Sequence, residues 1–402
     1  MKKLLATILA LVMALGVTTI SWAGENDYVT IDGLADENGA LIHYDTLTAA
    51  AKAWRESKSI VTSDGNFGSH PAELTEVESI VWTIHGTVDT GNGEGVIGSV
   101  NAAILSGGYI YPAVSIKKIV VKGEDNATIT DSISAGKGNG FTYIGGFGAD
   151  VTIEHVAFPA YAYANSQCKS ITFNNCKFEK GLKILQAAEV SVTNNTFTND
   201  GTTDPALFVQ NCTAEIKISG NNISGYMRGM NIQAGNDAVV TIDNNTISDL
   251  TDANKGSAIQ LTSGKTFTVT NNTISNAPAN AFRIYENCPA ESITINNNTI
   301  SAKYLCWNQG YDMSKVSSAD NTCSIEVPGA CAVGGNEIAQ SDFTINVKTV
   351  TPPRYYYNST TTDTKTDTTK GSPKTFDAGI GIYTVTAVLS VTGMAWTAKK
   401  RH

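Results

Sequence analysis

The chain has 402 residues, a formal net charge of −9 and only 16% charged residues. With no basic cluster between its termini, that balance excludes nucleic acid and an anionic membrane surface as partners. Seven cysteines without a single C-x-x-C pair leave no zinc or thiol-redox motif, so neither a metal nor a cofactor is expected.

The N-terminus reads Met1-Lys2-Lys3, an apolar run from Leu4 to Val17, then Ser21-Trp22-Ala23 before Gly24. A basic start, an apolar centre and a small-x-small site make residues 1–23 a secretory signal, cleaved between Ala23 and Gly24. In residues 24–78, DTLTAAAKAWRES from Asp45 places Leu47, Ala50, Ala51 and Trp54 on one helical face, with Asp45 as N-cap. This segment is predicted to cap the open end of the domain that follows.

Residues 79–340 carry a repeat. The fullest copies are VSVTNNTF from Val190, VTIDNNTI from Val240, FTVTNNTI from Phe267 and ITINNNTI from Ile293. Looser copies are VTIEHVAF from Val151, ITFNNCKF from Ile171 and IKISGNNI from Ile216. The closing residues Phe158, Phe178, Phe197, Ile223, Ile247, Ile274 and Ile300 lie 20, 19, 26, 24, 27 and 26 residues apart. That period marks units that bury their apolar faces against one another. Each phrase alternates apolar and polar residues, and a second short apolar run precedes it, as in LKILQ from Leu182 and FRIYE from Phe282. Each unit therefore holds about three short strands, and stacking them at about 4.8 Å per rung gives a coil.

The Asn pairs mark a corner between strands. Asn tolerates the left-handed backbone region best after Gly. Asn194, Asn244, Asn271 and Asn297, with Gly220 in the same slot, are predicted to turn this corner and to bond one another as a ladder. On these phrases the sequence resembles the right-handed parallel β-helix repeat proteins that share the pectin lyase fold. The resemblance covers roughly Ser79 to Ile338 and implies an all-β, single-stranded right-handed parallel β-helix, or solenoid, with an N-terminal capping helix. It does not fix an activity, because that fold hosts lyases, hydrolases, adhesins and tailspikes alike.

One outward column is a candidate binding surface. Gln186, Gln210, Gln233 and Gln260 recur at intervals of 24, 23 and 27 residues, and Glu286 continues the series. Amides in a row, with Tyr226, Tyr285 and Trp307 nearby, can hydrogen-bond and stack on a sugar chain. Tyr285 serves only if it turns outward. The paired carboxylates Glu189 and Glu215 stand at turns and carry no catalytic assignment, and no residue is assigned a catalytic or metal-binding role. The cysteines read as small buried hydrophobes; a disulfide among Cys306, Cys323 and Cys331 stays open.

Residues 341–371 include an apolar-free stretch from Ser359 to Lys370, which suits a flexible stalk. In residues 372–402, Ser372-Pro373-Lys374-Thr375 precedes an uncharged run from Ala378 to Ala398, and Lys399-Lys400-Arg401 follows. As a helix the run spans about 31 Å, one hydrocarbon core, with the basic tail kept inside. This order resembles the sortase sorting signal of Gram-positive surface proteins, although Phe376 stands where the common motif has Gly. The resemblance implies that Thr375 becomes the acyl donor to a cell-wall amine, recognised through Ser372, Pro373 and Lys374. The partners are then sortase and peptidoglycan, and the membrane is met only through this span before sorting. The resulting reading is a secreted protein, anchored outside the cell, that binds a polysaccharide or host glycan without catalysis. A polysaccharide lyase or glycoside hydrolase of the same fold, and a spacer with no ligand, are the alternatives.

Overall fold

The computed structural model describes residues 26–57, 75–91, 96–97, 104–106, 109–111, 114–130, 141–144, 148–165, 168–326 (apart from 202, 204 and 255) and 343–347. The signal segment, its cleavage site at Ala23, the sorting motif Ser372 to Thr375 and the expected stalk apart from 343–347 lie outside the described residues; Phe343–Val347, placed in the stalk by the sequence, is instead a strand paired parallel with Asn321–Ile325. Among the described residues no helix is long and apolar enough to cross a membrane.

Twenty-seven strands join in one hydrogen-bonded sheet that coils on itself. From residue 141 to residue 326 the pairings between rungs are parallel, and they fall into three stacked columns of strands. The first sheet holds the repeat phrases themselves: Asp150–Glu154, Ser170–Asn174, Glu189–Thr193, Glu215–Ser219, Val239–Asp243, Thr266–Thr270 and Ser292–Asn296. The second sheet follows across the Asn corner, through Lys177–Phe178, Thr196–Thr198, Asn222–Ser224 and Thr246–Ser248. The third sheet is formed by Tyr161–Asn165, Leu182–Leu185, Leu207–Gln210, Met230–Gln233 and Ser257–Ser263, then by residues 280–284 and 304–308. This is the coil that the period of the sequence predicts.

Alternation decides what goes inside. In the first sheet Val190, Ile216, Val240, Phe267 and Ile293 stack as one buried column, and Val192, Ile218, Ile242, Val269 and Ile295 as a second. The closing residues of the repeat form the core of the second sheet. Phe158 stacks on Phe178 at 5.3 Å, Phe178 on Phe197 at 4.7 Å, and Ile223, Ile247, Ile274 and Ile300 continue the column. Offset ring stacks of this kind add to the stabilisation by apolar burial.

The corner between the first and second sheets divides its work between the two Asn residues. The first of each pair bends the chain: Asn194, Asn244, Asn271 and Asn297 have φ between 54° and 58°, and Gly220 has 68°. Their side chains are exposed and do not form the expected ladder; Asn194 donates to Asn174 and Asn271 to Asp243. The ladder is carried one residue later by Asn195, Asn221, Asn245, Asn272, Asn298 and Asn321, each 1% exposed. The Nδ2 of each of the first five donates to Oδ1 of the next at 2.8–3.0 Å. The backbone N–H of each donates to that same oxygen. Nδ2 also donates to a carbonyl of the preceding strands, as Asn272 does to Ile242. The reason for the shift is geometric: the residue with positive φ points its side chain outward, and the next points in, where the corner's peptide groups need partners.

The N-terminal segment closes one end. Tyr28–Ile31 pairs antiparallel with Thr75–Asp89, and helix α1 (Leu47–Ser57) buries Leu47, Ala50, Ala51 and Trp54 in the core, on the face that the spacing predicts. Its N-cap is Thr46, whose Oγ1 accepts from the N–H of Ala49, so the cap lies one residue beyond the expected Asp45. Ile104–Ser106 and Tyr109–Tyr111 form a separate two-stranded antiparallel pair.

The two roles at the corner are separable. Asn272→Ala strands the N–H of Asn245 and the carbonyl of Ile242 and should cost on the order of 3 kcal/mol. Asn271→Ala, which strains the backbone and removes one exposed hydrogen bond to Asp243, should cost about 1 kcal/mol, and Asn271→Gly should be close to neutral. Urea midpoints of the three variants test this order; an Asn272→Ala midpoint no lower than that of Asn271→Ala would refute the division of labour.

Candidate binding face on the third sheet

The outward face of the third sheet is where the sequence places its amide row, and the register there differs from the expected one. Gln210 and Gln233 are direct partners and both are half-buried. Gln186 is not in their column: Leu185 takes the place beside Gln210, and Gln186 lies one residue past the strand at an exposed corner with φ 62°. Gln260 pairs with Asn231 and Arg283, one column over. Glu286 is exposed in the turn after Ile284. The intervals between the Gln residues had counted turn residues as if all turns were equal. The buried pairs Leu207/Val209, Met230/Ile232, Ile259/Leu261 and Phe282/Ile284 set the register instead.

That register brings a different set of side chains into one column. Tyr163, Lys183, Phe208, Asn231, Gln260, Arg283 and Trp307 succeed one another, one per rung at about 4.8 Å; Phe208, Asn231 and Trp307 are half-buried, whereas Tyr163, Lys183, Gln260 and Arg283 are buried beneath them. The Lys183 Nζ lies 5.7 Å from the Tyr163 ring centre and 4.6 Å from that of Phe208. The Arg283 guanidinium lies 4.5 Å from the Tyr285 ring and 4.2 Å from the Trp307 ring, and its Nε donates to Gln309 Oε1. Cation–π contact of this kind fixes the orientation of the rings. Tyr285 does turn outward, because Ile284 takes the inward position. Sequence reasoning missed Lys183, Phe208, Asn231 and Arg283. Aligning the runs on their two inward residues, and not on Gln, would have found them as the residue in between.

The amides are linked to these groups. Gln260 Oε1 accepts from Arg228 Nη1 at 3.3 Å, and Thr262 Oγ1 donates to Asn231 Oδ1 at 3.2 Å. The Oε1 of Gln210 is screened from solvent and accepts no hydrogen bond, an unmet demand worth about 1–3 kcal/mol. The described strands of this sheet contain no Asp or Glu.

Tyr226 leaves the candidate set. It is fully buried, its hydroxyl donates to the carbonyl of Phe178 at 3.0 Å, and burial raises its pKa, so it is a core residue that no ligand can stack on. Cys168, Cys176, Cys212, Cys288, Cys306 and Cys323 are buried and form no disulfide with one another, so Cys306 and Cys323 are not joined; Cys331 lies outside the described residues. Glu189 and Glu215 are exposed on the first sheet, away from this face. Among the described residues no group of three or more His, Cys, Asp or Glu side chains could hold a metal ion.

With this geometry in place, one comparison bears on the chain. Residues 160–338 match the family model described as a right handed beta helix region. The fold is a right-handed parallel β-helix. Searches of curated proteins and of solved structures gave no match.

Burial pushes the thiols of Cys176 and Cys212 from 9.0 up to about 12. At pH 8 the folded protein should therefore hold about a thousandfold less thiolate at these positions than an unfolded chain. Iodoacetamide labelling read by mass spectrometry should mark both residues in urea and neither in buffer. Rapid labelling of either in buffer would show that the core of the coil opens there.

Proposed function

We propose that this protein is displayed outside the cell and binds a glycan, free or as part of a host matrix, along the third sheet without cleaving it. The observation that carries the reading is the column from Phe208 to Trp307, in which Phe208, Asn231 and Trp307 reach solvent, as Tyr285 does beside them, while the buried Gln260 and Arg283 hold them in place. Rings offer flat apolar faces to sugar rings, and amides both donate and accept toward hydroxyls. A rise of about 4.8 Å per rung repeats these groups along the rod axis, the direction in which an extended sugar chain would lie. Arg283, held between Tyr285 and Trp307, orients both rings before any ligand arrives and lowers the ordering cost of binding. The family model matched by residues 160–338 agrees with a long, regular scaffold for such a surface.

Display rests on the two termini. The leader ending at Ala23, and the motif Ser372 to Thr375 followed by an apolar run and a basic tail, support secretion and then transfer of Thr375 to the wall by a sortase. Peptidoglycan is the covalent partner in this reading, and the membrane span is a transient stage.

A glycan array probed with the secreted chain should show a bound class of sugar chain. Trp307→Ala and Arg283→Ala should each weaken that binding about tenfold, whereas Gln186→Ala should leave it unchanged. Reducing-sugar and ultraviolet-absorbance assays on uronate polymers should stay flat. Product release in those assays would replace the reading with a polysaccharide lyase or hydrolase, and a silent array would replace it with a spacer. For display, Thr375→Ala should move the protein from the muralytic-enzyme extract to the membrane fraction; an unchanged distribution would overturn sortase transfer.

A further inference from the structure

The rings that reach solvent on the third sheet stand at the two ends of one stretch of column. Phe208 lies at one end and Trp307, with Tyr285 beside it, at the other; Asn231, Gln260 and Arg283 fill the three positions between. Four rung steps of about 4.8 Å put the two ends about 19 Å apart. Each end rests on its own buried cation: the Lys183 Nζ is 4.6 Å from the Phe208 ring centre, and the Arg283 guanidinium is 4.2 Å from that of Trp307. Between them Asn231 reaches solvent, while Gln260 and Arg283 are buried. The core residues Val209, Ile232, Leu261 and Ile284 stack beside this column in parallel register, so the two ring platforms are held at a fixed separation.

We propose that this separation selects the ligand: the face takes a straight, equatorially linked glycan of at least five sugars, with one sugar stacked on each platform. The inference rests on the glycan reading above and adds length and shape to it. A pyranose built of bonds near 1.5 Å advances a straight chain by about 5 Å. About four such steps, and therefore about five sugars, cover the distance of about 19 Å between the rings. Two or three sugars reach one platform only and gain nothing from the other. Shape follows from the same column, because both platforms belong to one sheet and face the same side. A chain whose linkages leave each ring equatorially stays extended and keeps its first and fifth sugars over the sheet. A chain with an axial linkage coils and lifts its far end away. Once one sugar is stacked, the fifth meets the second platform at a high effective concentration, and the strand register spares the cost of arranging the platforms.

Isothermal titration calorimetry of the secreted chain tests this, with cello-, chito-, xylo- and manno-oligosaccharides of two to six sugars and with coiled maltohexaose. In the series that binds, affinity should rise about tenfold between three and five sugars and level off at six. Maltohexaose should bind no better than the three-sugar member of that series. Trp307→Ala and Phe208→Leu each remove one platform, so five sugars should then bind like three, with the three-sugar affinity changed less than about threefold. Leu keeps position 208 apolar, and circular dichroism of both variants should match wild type. Equal affinity for three and five sugars, a rise that survives the loss of either ring, or maltohexaose bound as tightly as five straight-chain sugars would each overturn the proposal. Silence of all four series while a glycan array binds some other sugar chain would also overturn it and leave glycan binding standing. A silent array would remove both.

Discussion

Everything in this fold depends on turning the same corner once per rung without orphaning a peptide group inside. The chain meets that constraint with two adjacent residues of one type and opposite duties. Asn271 and its equivalents supply the left-handed backbone, and Asn272 and its equivalents supply the amide that accepts a backbone N–H from one rung and donates to the next. From Asn221 to Asn321 each buried ladder amide accepts two hydrogen bonds and donates at least two, and Asn195 accepts one and donates two, so the cost of placing polar groups in the core is met. Because the demand is identical at each rung, the solution repeats, and the repetition aligns the rungs.

That alignment frees the outside. Once inward residues and corners fix a rung, the outward positions can differ from face to face: mixed charge on the first sheet, hydroxyls on the second, and on the third half-buried rings over the buried Lys183, Gln260 and Arg283. The rod can therefore present separate surfaces with separate chemistries. The ladder starts at Asn195, and Cys176 holds its position in the rung before, with its N–H donating to Asn195. The Phe stack occupies these earlier rungs, so ring packing is strongest where the amide ladder begins.

Much of this is legible in the chain. The closing residues from Phe158 to Ile300 give the period, and alternation within VTID or ITIN assigns the core. The capping helix is visible from Leu47, Ala50, Ala51 and Trp54. What was not legible has a common cause. The assignment of the ladder to Asn272 and not Asn271 needed the direction of each side chain at the corner. Tyr226 looked like a surface ring near the Gln row, yet it is buried and its hydroxyl donates to the Phe178 carbonyl. The Gln residues looked evenly spaced, yet Gln186 and Gln260 are out of register with Gln210 and Gln233.

The sequence by itself determined that the chain is a stack of short strands, how far apart the rungs recur, which apolar residues are inside and where the corners fall. Those features are local: they follow from alternation, from period and from the few residue types that accept positive φ. Only the tertiary structure decided which outward side chains share a column. The turns between strands differ in length, so distance along the chain does not measure position across rungs; hydrogen bonding between neighbouring strands does, and it set Lys183, Phe208, Asn231, Gln260, Arg283 and Trp307 in line.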